Sequence, residues 1–161
     1  MNHIIIACDH RGTFLKKKII SYWEKKAKIV DNDPNVDEKP VDYPDIVKNF
    51  AISMRNNQIF FDDSQNQQYV NPIGILICAT GVGVSIAANR YNHLYAFVCH
   101  SEKEAFLSRS HNNTNVLCLG ADYTTLEDAN KWINIFLKTP FLKQRHEQRV
   151  KKINDISIDF F

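Results

Sequence analysis

Apolar residues recur along this chain in two alternating patterns. Unbroken runs at His3 to Cys8, Ile73 to Ile77, Leu94 to Cys99 and Asn115 to Leu119 have strand length, and the branched run at Ile73 is composed like a buried parallel strand. Lys28 to Val30 reads as one further short strand. The intervening stretches change to helical spacing. Thr13 to Lys26 gathers Phe14, Leu15, Ile19, Ile20 and Trp23 on one face, and Asp45 to Met54, Glu102 to Ser110 and Leu126 to Leu137 follow similar patterns. Strands that alternate with helices predict an α/β fold, a three-layer α/β/α sandwich around a five-stranded parallel sheet, with ligands at the carboxyl ends of the strands. Two stretches break the alternation. Asp31 to Pro44 holds Pro34, Pro40 and Pro44 among Asp and Asn residues and reads as a loop. Residues 56–72 are rich in Asn and Gln and read as a surface insertion, with Ile59, Phe60 and Phe61 pinning it to the body or meeting a partner. A basic helix is expected at about 143–154.

The densest chemistry follows the run at Ile73. There the strand delivers Cys78 and Thr80 into a turn bearing Gly81 and Gly83, and a helix opens near Ser85 and runs to Asn89. The glycines allow a tight turn and close approach to a ligand. Amides at a helix start lack intrahelical partners and sit at the positive end of the helix dipole, which favours an anion or a developing oxyanion. A nucleotide reading loses ground, because the P-loop lysine is missing and Ile86 stands where the third glycine of a dinucleotide fingerprint would fall. Cys78 also lies at a strand's carboxyl end, as do Asp9 and His10 after the first strand. His111 and Asn112, just before the fifth, are expected to reach that same edge.

Composition narrows the partners. With 161 residues, 44% of them hydrophobic, the chain can bury one core as a single domain spanning 1–161. Twenty basic against 18 acidic residues leave a formal charge of +2, too little for a general nucleic-acid or membrane-surface binder. Cys8, Cys78, Cys99 and Cys118 form no C-x-x-C pair, which argues against a zinc site or disulfide framework and for reduced thiols. No run approaches bilayer-spanning length and no charged leader precedes a long apolar core, so a cytoplasmic location is expected.

The ordered set Cys8-Asp9-His10, Asp42-Tyr43-Pro44, Cys78 to Ser85, Ser108 to Asn112 and Arg145-His146-Glu147-Gln148-Arg149 closely resembles the ribose-5-phosphate isomerase B family. The resemblance spans nearly the whole chain apart from 56–72 and the last few residues. It implies a Rossmann-like homodimer or homotetramer with active sites at the subunit interface. The implied reaction interconverts ribose 5-phosphate and ribulose 5-phosphate, in the pentose phosphate pathway, without metal or organic cofactor. By resemblance Cys78 is the base, Thr80 relays protons, and His111 with Asp9 opens the sugar ring. The amides of Gly81, Val82, Gly83, Val84 and Ser85 surround the enediolate, while His10, Tyr43, Asn112, Arg145 and Arg149 hold sugar and phosphate. The residue types suit that chemistry: a thiol can become a thiolate base beside helix-start dipoles, and arginines four apart on a helix can grip one phosphate. Taken singly, each has a plainer reading: Cys78 as an inert buried thiol, Thr80 and Ser85 as turn and cap residues, the arginines as a solvated helix face. Two positions depart from the family pattern. Ala79 replaces a common glycine, and Asp122 stands where relatives often carry a phosphate-reaching arginine, for which Arg90 or Arg109 are candidate substitutes. Allose or galactose 6-phosphate isomerisation is the enzyme alternative, and a silent sugar-phosphate sensor is the non-enzyme one.

Overall fold

A computed structural model describes residues 3–33, 39–57, 59–63, 66–70 and 72–156. Its centre is a five-stranded sheet in the order β2-β1-β5-β7-β6, every neighbouring pair parallel. The strands are β1 (His3–Cys8), β2 (Lys28–Asp31), β5 (Ile73–Cys78), β6 (Ala96–Val98) and β7 (Val116–Gly120). The helices are α1 (Thr13–Trp23), α2 (Tyr43–Asn56), α3 (Val82–Ala88), α4 (Glu102–Asn112), α5 (Leu126–Lys138) and α6 (Arg145–Asn154).

Alternation within the strands splits the core in two. Ile4, Ile6, Ile75, Ile77, Leu117 and Leu119 face α1, α4 and α5, while Ile5, Ala7, Leu76, Cys78, Val116 and Cys118 face α2 and α3. Both faces of each central strand are therefore apolar, as a parallel sheet covered by helices on both sides requires. Register aligns Cys8 with Ile77 and Cys78 with Gly120, so β1, β5 and β7 end level with one another. Gly74 shows how closely α2 is packed on this sheet: an added Cβ would collide with the Phe50 ring and stand 3.1 Å from Val116 Cγ2. Gly74→Ala is expected to destabilise the fold by about 1–3 kcal/mol, the usual range for overpacking, read as a lower urea midpoint at unchanged m-value.

Several boundaries differ from the sequence reading. Helix α1 stops at Trp23, where the Lys26 and Ala27 amides bond back to its carbonyl and turn the chain into β2. Helix α2 begins two residues earlier than the pattern suggests, with Pro44 in its first turn, where a missing N–H does no harm. Helix α3 begins at Val82, so Gly83 lies inside it. Helix α4 continues to Asn112 and is closed by Asn113 in the left-handed conformation at φ 51°. Within 56–72 the backbone forms an antiparallel hairpin, β3 (Ile59–Asp63) with β4 (Asn66–Val70), which its polar composition concealed. The pinning role expected of Ile59, Phe60 and Phe61 lies outside the described side chains.

Candidate active site

The turn after β5 is fixed from both sides. Gly81 adopts φ +78° as the cap of α3, and a Cβ there would press on the backbone of Leu119 and Gly120 at 3.1 and 3.2 Å. Gly120 in turn approaches Thr80 so closely that a Cβ would lie 2.8 Å from its carbonyl oxygen. Ala121 and Asp122 donate their amides to the carbonyls of Cys78 (2.8 Å) and Ala79 (3.0 Å), tying the end of β7 to the turn.

Within this clamp the Gly81 amide donates to Cys78 Sγ at 3.0 Å. The amides of the five expected oxyanion donors divide: Gly81 serves Cys78, Val82 donates to Thr80 Oγ1 at 3.3 Å, and Ser85 donates to the Gly81 carbonyl at 3.2 Å. Gly83 and Val84 have no acceptor among the described residues. Tyr43 lies across the start of α3, its Cζ only 2.8 Å from where a Gly83 Cβ would stand.

Asp9 and His10 follow β1 at the same edge. Asp9 is buried and accepts the Arg11 amide at 2.9 Å. His10 Nδ1 accepts the Val41 amide at 3.4 Å, which leaves the ring proton of the neutral imidazole on Nε2. Asp122 is not an unpaired carboxylate here. Arg11 Nη2 meets its two oxygens at 3.1 and 3.3 Å. Arg109 does not substitute for a cation at this edge: it bonds the Thr114 carbonyl and lies over the Phe136 ring at 5.3 Å, and burial lowers its pKa. Burial first of all pushes the Cys8 and Cys99 thiols up to about 12 and raises that of Cys118 as well.

The remaining site candidates gather elsewhere, and the expectation of one shared edge is corrected. Helix α4 leaves the carboxyl end of β6 and runs back to the amino end of β7, so His111 and Asn112 in its last turn lie at the opposite end of the sheet from Cys78. A residue just before a parallel strand necessarily sits at that strand's amino end. Helix α6 brings Arg145 and Arg149, both exposed, to this second cluster. Its link to α4 is a ring stack, His111 on His146, with centroids 4.2 Å apart and planes at 11°. Sequence reasoning passed over His146, although it stands inside the Arg145 to Arg149 motif.

Burial, followed by the neighbouring His111, Arg145 and Arg149, lowers the His146 pKa. Burial and then Lys28 lower that of His3. The unfolded chain takes up these protons near pH 6.5 and the folded chain only at lower pH. Within that window the unfolded state holds more protons, so stability falls as pH falls. His146→Phe, which keeps an aromatic ring but cannot titrate, is expected to lose less of its urea midpoint than the parent between pH 7.5 and pH 5.5.

The sequence signature of the ribose/galactose isomerase family matches residues 4–153. Ribose-5-phosphate isomerase B of Escherichia coli K12 is 36% identical over 157 residues, 97% of this chain and 97% of its own. The crystal structure of a ribose 5-phosphate isomerase from Thermotoga maritima is similar at TM-score 0.83 and 38% identity, covering 96% of this chain and 99% of that one. Ribose-5-phosphate isomerase B from Mycoplasma genitalium, crystallised with bound ribulose 5-phosphate, is similar at TM-score 0.81 and 39% identity over 95% of this chain and 94% of its own.

Proposed function

The chain belongs to the ribose/galactose isomerase family, and from that premise we propose that it interconverts ribose 5-phosphate and ribulose 5-phosphate with Cys78 as the base, a step of the pentose phosphate pathway. The observation that carries this reading is the Gly81 amide donating to Cys78 Sγ at 3.0 Å, beside the amides of Gly83 and Val84, which have no acceptor among the described residues. The thiolate takes the C2 proton of the open-chain aldose, and the electron pair moves through C1 onto the carbonyl oxygen. The resulting enediolate charge falls to the two amides, and Thr80 passes a proton between the two sugar hydroxyls. The thiol then returns a proton to C1 and the ketose forms. His111 with Asp9 opens the ring beforehand, while His10, Tyr43, Asn112, Arg145 and Arg149 hold the substrate.

These roles need the two clusters to meet, and they lie at opposite ends of one sheet. A second copy of the chain resolves this, each protomer presenting its His111, Asn112, Arg145 and Arg149 to the Cys78 turn of its partner. Apolar surface supports such a contact: Val82 and Ile86 are exposed on α3, Phe106 is exposed midway along α4, and Leu142 is exposed beside its last turn, where its amide donates to the Ser110 carbonyl. Among the described residues no helix is long and apolar enough to cross a membrane. The test is turnover of ribose 5-phosphate beside allose and galactose 6-phosphates. Pentose preference is expected, hexose preference would move the substrate assignment, and binding without turnover of any of them would leave a sensor.

A further inference from the structure

We propose that Arg11 is a ligand for the substrate phosphate, its guanidinium tethered by Asp122 across the carboxyl end of β5; this rests on the sugar-phosphate isomerase reading above. Strand β5 lies between β1 and β7 in the sheet. Arg11 follows β1 and Asp122 follows β7, so their ion pair bridges the end of the strand that carries Cys78. Both anchors are tied to site segments: the Arg11 amide donates to Asp9 Oδ1 at 2.9 Å, and the Asp122 amide to the Ala79 carbonyl at 3.0 Å. The guanidinium is thus placed relative to the Cys78 turn by hydrogen bonds on both sides.

Charge and donor geometry suit an anion there. Asp122 engages only Nη2, which leaves the N–H groups of Nη1 and Nε, on different sides of the guanidinium, without partners among the described residues and each able to donate to a phosphate oxygen. Asp9 and Asp122 would repel a phosphate dianion at this edge, and Arg11 is the cation set between them. As a structural device the pair has little value. Its side chains are 56% and 41% exposed, and exposed pairs contribute little to stability.

The experiment compares the parent with Arg11→Ala, Asp122→Ala and the double variant Arg11→Ala/Asp122→Arg. Each is assayed for kcat and KM with ribose 5-phosphate, inhibition by inorganic phosphate, and thermal midpoint. Loss of a charge-assisted contact predicts that Arg11→Ala raises KM and the phosphate inhibition constant about 10- to 100-fold, with kcat and midpoint little changed. Asp122→Ala keeps the guanidinium and is expected to have a smaller effect. The double variant returns a guanidinium to the same place and is expected to recover much of the binding. Unchanged KM and phosphate inhibition in an active Arg11→Ala protein would overturn the proposal, as would an equal or larger loss in Asp122→Ala. If the parent turns over no ribose 5-phosphate, the isomerase reading itself fails. Calorimetric titration with inorganic phosphate then still judges Arg11: weakened binding in Arg11→Ala upholds it as an anion ligand, and unchanged binding removes it.

Discussion

Replacing Cys78 with alanine is expected to lower kcat for ribose 5-phosphate by about a thousandfold, within the usual range for loss of a general base, while calorimetric affinity for the sugar phosphate stays within about threefold of the parent. The effect is large because no other side chain of the turn can take over. Thr80 is the other side chain of the turn with a proton to exchange, and a hydroxyl is a poor base at neutral pH. Val84, in the first turn of α3, is fully buried and has no proton to exchange. Cys118 faces the same core but is held as a neutral thiol by burial. Removing the sulfur vacates one small volume and leaves the clamps between the turn, Gly120 and Asp122 in place, so binding survives where chemistry does not. Equal turnover by Cys78→Ala and the parent would rule out the thiol as base.

Cys78→Ala and Arg149→Ala proteins, each inactive or severely impaired alone, are expected to recover activity when co-assembled. The reason is topological. Cys78 ends β5 at one edge of the sheet, whereas the α4 and α6 cluster lies at the amino ends of the strands. In a mixed dimer whose sites are shared between copies, both defects fall in one site and the other is intact. Random assortment makes about half the dimers mixed, so about a quarter of parent activity should return. Co-expression with two different affinity tags isolates the mixed species. Activity no higher than the sum of the two single variants would mean that each chain builds its site alone.

The parallel sheet was readable because its strands are apolar on both faces and its helices keep one apolar stripe, as Ile75, Leu76 and Ile77 and the Leu15, Ile19 and Trp23 face illustrate. The hairpin at β3 and β4 was not, since Gln67, Gln68 and Asn66 give no alternation of apolar with polar positions. The sequence pattern starts helix α3 three residues late because Gly83 is a poor helix residue in isolation; in the fold the Tyr43 ring packs over it, within 2.8 Å of where a Cβ would stand. Residues of the Cys78 turn were legible from their short spacing. The position of His111 is not legible in the same way, because adjacency to a strand says nothing until the strand's direction is known. The His111–His146 stack and the Arg11–Asp122 pair join residues 35 and 111 positions apart in sequence, and no local pattern encodes either.

The central claim is enediolate chemistry on ribose 5-phosphate at the Cys78 turn, and its most direct test is the reaction run in deuterated water with the product read by NMR. The account predicts that ribulose 5-phosphate forms and carries solvent deuterium at C1, because the proton reaching that carbon comes from a thiol that exchanges with solvent. Product still free of deuterium at C1 after many reversible turnovers would contradict transfer through an exchangeable thiol, and ribose 5-phosphate that binds but returns unchanged and unlabelled would contradict isomerisation altogether.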